Sequence, residues 1–292
     1  IGAALLNTGD EAGGLAALHS AYDFDPEWSG AIAIKATALL IEGDRPAAFE
    51  LATKALAADP ENLQAANVVI DAAPDELAVA DVDTLLPPKL ERGVDLLVAL
   101  AARARAHDGS EVASIYAEKA LALAPEDWRA TSVVAEVLLS SLFERPGLSI
   151  THEVPTEHQA DLERALTLLR SAWRALQPAT EIRRAVHIPA NLISVLDLVG
   201  ETAEAQEVLD AALAMAPDDP VLARRKAQQF VLEDRWTEAR SLLEAIAPEE
   251  RAEPDQVLLV QSIIHIDPIE GLRAAKSLEA TVAGSRYQDV AR

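Results

Sequence analysis

The sequence lacks cysteine, is poor in aromatic residues and contains no long apolar run. Phe, Trp and Tyr make up 4% of its 292 residues. Without cysteine the chain can form no disulfide bond, no thiolate nucleophile and no zinc site with sulfur ligands. No segment approaches the roughly 18 consecutive apolar residues of a membrane-spanning helix. We therefore expect no direct membrane span in this chain.

A targeting signal is also missing, because no charged segment followed by an apolar segment opens the chain. The sequence starts at Ile1 and stops at Arg292, within the repeat pattern described below. We therefore expect a fragment or a processed form, and further domains beyond either end stay an open question. We expect a cytoplasmic protein, or a periplasmic one if a signal peptide or an anchor has been removed.

Basic residues are scarce. The chain has 25 Lys and Arg against 48 Asp and Glu, a net charge of −23. Such a chain repels phosphate backbones, so we expect no nucleic-acid partner. Residues 1–90 hold 4 basic and 15 acidic side chains, whereas residues 160–240 hold 10 basic and 13 acidic ones. The excess of negative charge is thus much smaller in the C-terminal half.

Alanine and other apolar residues are what the sequence has in abundance. Half of the residues are hydrophobic. Small side chains let helix backbones approach closely, which favours the packing of helix on helix. A β-sandwich would show Val, Ile, Thr and aromatic residues in alternation, and this alternation is absent. We predict an all-α fold. The use of Ala, and of Arg over Lys, indicates a GC-rich bacterial genome.

A repeat of about 34 residues runs through the chain. Pro26 and Pro60 lie 34 residues apart, and they close the phrases HSAYDFDP (19–26) and TKALAADP (53–60). Proline cannot continue a helix and disfavours helix at the residue before it, so each phrase predicts the end of a helix. Similar phrases end at Pro125, Pro178, Pro217 and Pro248.

A polar turn precedes five of these prolines by about half a repeat. The turns contain Gly9, Gly43, Gly109, Gly200 and Asp234. Gly or Asp at such a place ends one helix in a left-handed cap, and acidic residues favour the start of the next helix. The repeating unit is therefore a helix A, a tight turn, a helix B and a proline stop.

Small residues recur at fixed distances before the proline, where two helices would touch. They are Ala21, Ala55, Ala120 and Ala212, then Gly14, Ala48, Ala113 and Ala205, and in helix A Ala36 and Ala101, with Ile193 as the exception. This pattern resembles the tetratricopeptide repeat family in its bacterial form. The resemblance implies a right-handed α-solenoid of about seven to eight helix-turn-helix repeats. In that architecture helix A lines a concave groove and helix B forms the convex back.

We interpret residues 1–292 as a single superhelical array with three irregular parts. A repeat at about 61–88 is compressed, since Pro74 and the pair Pro87 and Pro88 leave room for only a short second helix. A loop at about 143–159 is inserted between the two helices of the fifth repeat. The last repeat, at about 249–292, is imperfect.

The resemblance implies binding rather than catalysis. The leading interpretation is a scaffold or adaptor that binds a partner protein or peptide in its concave groove. The alternative is the repeat or regulatory region of a larger enzyme or of a secretion or export component. We expect no enzyme activity and no cofactor, because the sequence has no phosphate-binding loop, dinucleotide fingerprint or nucleophile elbow. The oligomeric state and the identity of the partner are not indicated.

Polar residues at groove positions concentrate in the C-terminal half. Four arginines among them form a basic cluster that suits a carboxylate or an acidic peptide. The competing interpretation is that these arginines pair with neighbouring acidic residues. A chaperone-type clamp of Lys and Asn is disfavoured, because Asn191 stands alone. The candidate partner-binding residues are Arg129, Ser132, Glu136, Arg183, Arg184, His187, Asn191, Ser194, Arg224, Arg225, Gln228 and Gln261.

The inserted loop holds the one cluster that invites a metal-binding interpretation: His152, Glu153, Glu157 and His158. A zincin needs two His four residues apart on a helix. These two are six residues apart, and Pro155 breaks any helix between them. We therefore expect no metal site, and we interpret the insertion as a surface loop at which a partner docks.

Overall fold

The computed structural model of the chain describes residues 10–143, 156–176, 185–248 and 251–281. These residues form fifteen α-helices, one short 3₁₀ helix and no strand, so the all-α class is confirmed for this part of the chain. They belong to two compact units, residues 1–181 and residues 182–292. The single array across residues 1–292 stays a prediction.

The first unit contains nine of the helices. Its 3₁₀ helix, Thr156–His158, precedes the last of them. The nine helices are α1 (Glu11–Phe24), α2 (Ser29–Ile41), α3 (Arg45–Ala58), α4 (Leu63–Ala72), α5 (Val79–Leu85), α6 (Val94–His107), α7 (Ser110–Leu123), α8 (Trp128–Phe143) and α9 (Gln159–Ala175).

Contacts within the first unit follow the order of the chain. Each helix packs against the next one, and α2, α4, α6 and α8 also pack against one another in succession. This is the arrangement of helix-turn-helix repeats, in which each repeat contacts mainly its neighbours. The helices α2, α4, α6 and α8 are therefore the A helices of this unit.

The second unit contains the other six helices. Sequential helices pack against each other from α10 to α15, and α12 also packs against α14. By the same pattern α10, α12 and α14 are A helices, and α11, α13 and α15 are B helices. The six helices are α10 (His187–Val199), α11 (Thr202–Met215), α12 (Pro220–Leu232), α13 (Trp236–Ala245), α14 (Glu253–Ile266) and α15 (Pro268–Thr281).

The helix ends and the tight turns lie at the positions predicted from proline, glycine and Asp234. Six helices end two or three residues before the repeat prolines. The turn residues Gly43, Gly109 and Gly200 have φ angles of +85°, +90° and +80°, and Asp234 has a φ of +59°. These left-handed conformations close helix A and let the chain reverse into helix B. Gly9 lies outside the described residues.

Alanine fills the interface between the helices. In the first unit Ala36, Ala48, Ala55, Ala101 and Ala120 have no exposed surface. They pack with Leu, Val and Ile in one continuous core. A side chain this small lets two helix backbones come close, so the solenoid is held by many close helix contacts rather than by large aromatic residues.

Candidate binding site

Polar side chains connect successive A helices. In the first unit Gln64 Nε2 donates to Thr37 Oγ1 over 2.9 Å. Arg105 forms an ion pair of 3.4 Å with Glu136. The guanidinium of Arg129 on α8 bonds to Asp95 on α6. Residues that the repeat register places in the groove are thus engaged with the neighbouring repeat.

The three candidate residues of the first unit all have partners within the protein. Arg129 bonds to Asp127 over 2.7 Å in addition to Asp95. Ser132 is buried, and its hydroxyl donates to the carbonyl oxygen of Arg129. Glu136 holds Arg105. The hydrogen bond from the Arg129 side chain is the main reason why the pKa of Asp127 is below its usual value.

In the second unit, Arg224 is part of a buried ion pair. Its guanidinium forms two hydrogen bonds to Asp255, whose side chain has no exposed surface. Asp255 also accepts a hydrogen bond from the backbone N–H of Ala252, at the start of α14. This ion pair joins α12 to α14. It agrees with the competing interpretation, in which the arginines of the cluster pair with neighbouring acidic residues. Arg183 and Arg184, the other half of the proposed basic cluster, lie outside the described residues.

Three more candidates lie on A helices of the second unit. His187 is exposed at the first residue of α10, and Asn191 is half-buried one turn later. Gln261 is half-buried on α14, and its carbonyl oxygen lies 2.8 Å from Nδ1 of His265. These positions fit the groove side of the repeat, and their role in binding stays a prediction.

A pocket of about 290 Å³ opens within the second unit between α10, α11 and α12. We call it the second-unit pocket. Two of the candidate residues, Arg225 and Gln228, line it. Sequence reasoning missed the others. Its full lining is Ile193, Asp197, Thr202, Ala205, Gln206, Leu209, Arg225, Gln228, Gln229 and Leu232.

The second-unit pocket combines an apolar floor with polar walls. Ile193, Ala205 and Leu209 are buried. At the rim the side chain of Leu232 is 87% exposed. A concave apolar surface with a few converging polar groups is the usual form of a binding site.

Several polar groups in the second-unit pocket have hydrogen-bonding capacity that no other described residue satisfies. The carboxylate of Asp197 and the side-chain amide of Gln228 form no hydrogen bond or ion pair there. The guanidinium of Arg225 donates to the hydroxyl of Ser194, and it forms no ion pair with a carboxylate of the described residues. The side-chain oxygen of Gln229 is buried and accepts no hydrogen bond.

Neighbouring charges hold α12 in place beside the pocket. Lys226 Nζ donates to Asp210 over 2.8 Å. This bond is the largest cause of the lowered pKa of Asp210. Lys226 Nζ also lies 5.4 Å from the ring centroid of Phe230, and the Arg235 guanidinium lies 4.0 Å from it. Cations over an aromatic face are attracted by the ring, so these contacts stabilise the C-terminal half of α12.

The described residues contain no group of three or more acidic or His residues placed to hold a metal ion. His158 is buried and precedes α9. The other members of the predicted cluster cannot be compared, because His152 and Glu153 and the side chain of Glu157 lie outside the described residues. In the same part of the chain, every helix is too short or too polar to cross a membrane.

Known proteins share sequence features with one segment of the chain and resemble its fold. The sequence pattern of the tetratricopeptide repeat family matches residues 199–263. This segment runs from the end of α10 into α14 and includes most of the second-unit pocket. A comparison with curated protein sequences gave no match.

Solved structures resemble most of the chain at low identity. PilF of Pseudomonas aeruginosa has 18% identity and a TM-score of 0.55, over 90% of this chain and 96% of that chain. A chain of the APC/C hetero-tetramer Cut9–Hcn1 has 15% identity and a TM-score of 0.61, over 90% of this chain and 48% of that chain. At such identities the likeness shows the fold alone.

Human IFIT1, in a structure with Gppp-AAAA, has 12% identity and a TM-score of 0.67, over 97% of this chain and 65% of that chain. The present chain thus spans about half of the Cut9–Hcn1 chain and just under two thirds of IFIT1. Residues 199–263 thus match the tetratricopeptide repeat family, and the helix-turn-helix repeats of the other described residues have the same kind of fold.

Proposed function

We propose that this chain is a protein-interaction scaffold that binds a segment of a partner protein at the second-unit pocket. The observation that carries the proposal is the pocket itself, with its buried apolar floor and its unused polar groups. The tetratricopeptide repeat fold supports a protein-binding role in general terms. The particular site and the form of the ligand are our proposal.

The size of the second-unit pocket favours one side chain of a longer segment over a whole cofactor. Its volume of about 290 Å³ is just below the roughly 300–1,000 Å³ of small-molecule sites. The exposed Leu232 at its rim offers apolar surface to residues that flank the inserted side chain. An amide such as Gln228 can both donate to and accept from a peptide main chain.

The net charge favours a protein partner over a nucleic acid. The IFIT1 structure holds Gppp-AAAA, so this type of fold accommodates a nucleotide ligand in that protein. The present chain has a net charge of −23. A phosphate backbone would be repelled by such a chain, because long-range attraction supplies much of the affinity of nucleic-acid-binding proteins.

A paired-variant experiment tests the proposal. The tagged chain is used to capture proteins from a lysate of its source, and the captured proteins are quantified by mass spectrometry. The test variant is Gln228→Ala with Leu232→Ala, which changes the wall and the rim of the pocket. The control is Gln159→Ala with Leu123→Ala, the same residue types at exposed positions of the first unit.

We expect at least one protein to be captured by the wild type and the control and to be reduced about tenfold with the test variant, a loss of about 1.4 kcal/mol. Circular dichroism should show equal helix content in all three proteins, because both leucines are exposed. If every captured protein is retained equally by the test variant, the second-unit pocket is not the binding site.

A further inference from the structure

We propose that the partner segment inserts a basic side chain, arginine or lysine, into the second-unit pocket. The inference rests on the proposed function, and it adds the chemistry that the pocket selects. Three features support it: the surplus of hydrogen-bond acceptors, the position of Asp197, and the shape of the apolar floor.

Two of the three glutamines in the pocket lining use their side-chain nitrogen on a carboxylate. Gln206 Nε2 donates to Asp210 over 2.7 Å, and Gln229 Nε2 donates to Glu233 over 2.9 Å. Each of these two glutamines has thereby engaged one of its two N–H donors with a carboxylate, and its side-chain oxygen is left available as an acceptor. The oxygen of Gln229 is buried without a donor. A buried acceptor without a partner costs about 1–3 kcal/mol, so a ligand N–H group that draws the Gln229 oxygen toward the pocket is favoured.

Asp197 adds a negative charge to the same pocket. It lies on α10, is exposed, and has no cationic partner within the described residues. The charge of the unit reinforces it, because residues 182–292 hold 12 basic and 19 acidic side chains. An acidic surface attracts a basic segment over long range and raises its rate of association.

The floor of the pocket suits the stem of a long basic side chain. Ile193, Ala205 and Leu209 form this floor. Lys and Arg cover apolar surface with their methylene groups while the charged end contacts polar groups. The inserted side chain would thus place its stem on the floor and its cationic end near Asp197 and the glutamine oxygens.

Arg225 is the one group in the pocket lining that opposes a basic ligand. Its guanidinium lies on α12 and donates to Ser194. Removal of its charge should therefore strengthen the binding of a basic segment, whereas removal of the charge of Asp197 should weaken it. An acidic segment would show the reverse of both effects, so the two signs together identify the charge of the ligand.

The experiment uses four pools of random dodecapeptides that differ only in a fixed central residue: Arg, Lys, Leu or Glu. Binding to the full immobilised chain is measured at about 0.15 M salt, where charges beyond about 8 Å are screened. The variants are Asp197→Asn, Arg225→Gln, and Gln228→Ala with Leu232→Ala. The matched control is Asp23→Asn, which makes the same change in net charge at an exposed position of α1.

We expect the Arg and Lys pools to bind about tenfold more than the Glu pool. Asp197→Asn should reduce their binding about tenfold, because the negative charge that strengthens the hydrogen bond to the basic side chain is lost. Arg225→Gln should increase it severalfold, and Asp23→Asn should change it less than twofold.

Other results overturn the proposal. If Asp23→Asn weakens binding as much as Asp197→Asn, the attraction is that of the whole acidic chain. If the Glu or Leu pool binds best and the Gln228→Ala, Leu232→Ala variant reduces that binding, the site stands and only its basic selectivity fails. If that variant changes no pool, or if no pool binds above the level of a bare support, both this inference and the proposed function fail.

Discussion

At the scale of single residues, arginine side chains hold the ends of helices. Arg103 is 6% exposed, and its guanidinium donates to the carbonyl oxygens of Ile70, Ala73, Pro74 and Leu77. These carbonyls lie at the end of α4 and in the loop after it, where helical partners are missing. The guanidinium has five N–H donors in a fixed planar fork, whereas a lysine has three on a single nitrogen.

Two further arginines act in the same way. Arg92 donates to the carbonyl oxygens of Asp83 and Leu86 at the end of α5. Arg251 donates to those of Leu243 and Ile246 at the end of α13. Sequence analysis missed all three roles. A carbonyl acceptor leaves no signature in the side-chain pattern, and Arg103 reaches back by as many as 33 residues.

Arg224 is a candidate for binding, but its ion pair with Asp255 also gives it a structural role. Replacement of Arg224 tests how much this ion pair contributes to stability. Arg224→Gln would leave the carboxylate of Asp255 buried without its counter-ion. We expect a loss of about 2–4 kcal/mol in the free energy of unfolding, because breaking one side of a buried ion pair is costly. Urea unfolding followed by circular dichroism measures this. Arg273→Gln, at an exposed position of α15, should change stability by less than about 0.5 kcal/mol; equal effects of the two substitutions would contradict the structural role.

At the scale of helices and turns, two of the left-handed turn residues can be tested by opposite substitutions. Gly200 and Asp234 occupy equivalent turns with φ of +80° and +59°. Gly200→Ala should cost about 1 kcal/mol, because a side chain with Cβ is strained at positive φ even where space is free. Asp234→Gly should be neutral or stabilising by up to about 1 kcal/mol for the same reason. Thermal unfolding of both variants measures the two effects, and destabilisation by Asp234→Gly would show that its side chain matters more than its backbone.

The start of α8 gives a pH-dependent prediction. Hydrogen bonds from Arg129 are the main reason why the pKa of Asp127 is lowered. A carboxylate with a lowered folded-state pKa stabilises the protein above its unfolded pKa of about 3.9, and this contribution is lost as the pH falls through the folded-state pKa. Asp127→Asn should therefore cost about 1 kcal/mol at pH 7. The difference from the wild type should begin to shrink as the pH falls below about 4 and should go on shrinking as the carboxylate of the folded protein is protonated; a constant difference between neutral and acidic pH in urea unfolding would contradict the electrostatic cause.

The helices could be predicted from the sequence because their signals are local. Pro60 and Gly43 each act on a few residues around them, and the 34-residue spacing repeats those signals. The second-unit pocket could be predicted only in part. Arg225 and Gln228 lie on helix A, which the repeat pattern assigns to the groove. The wall from α11 was missed, because Gln206 lies on a helix B that the pattern assigns to the convex back.

At the scale of the whole molecule, negative charge outweighs the ion pairs that the structure contains. The chain carries 48 acidic and 25 basic residues. An exposed ion pair, such as that of Arg240 with Glu270, contributes about 0–1 kcal/mol. A net charge far from zero destabilises the compact state by self-repulsion. Salt screens both the attraction within ion pairs and the repulsion between like charges. The repulsion should dominate for a net charge of −23.

We therefore expect the protein to become more stable as salt is added at pH 7. Between about 0.02 M and about 0.3 M NaCl the Debye length falls from roughly 20 Å to roughly 6 Å, so repulsion between distant carboxylates is largely removed. The unfolding midpoint should rise by several degrees, and KCl should act like NaCl because the effect is one of screening. The midpoint is followed separately for each transition, since a chain of two compact units need not unfold in one step. A midpoint that falls with salt would show that attractive pairs, rather than net repulsion, dominate the electrostatics of this chain.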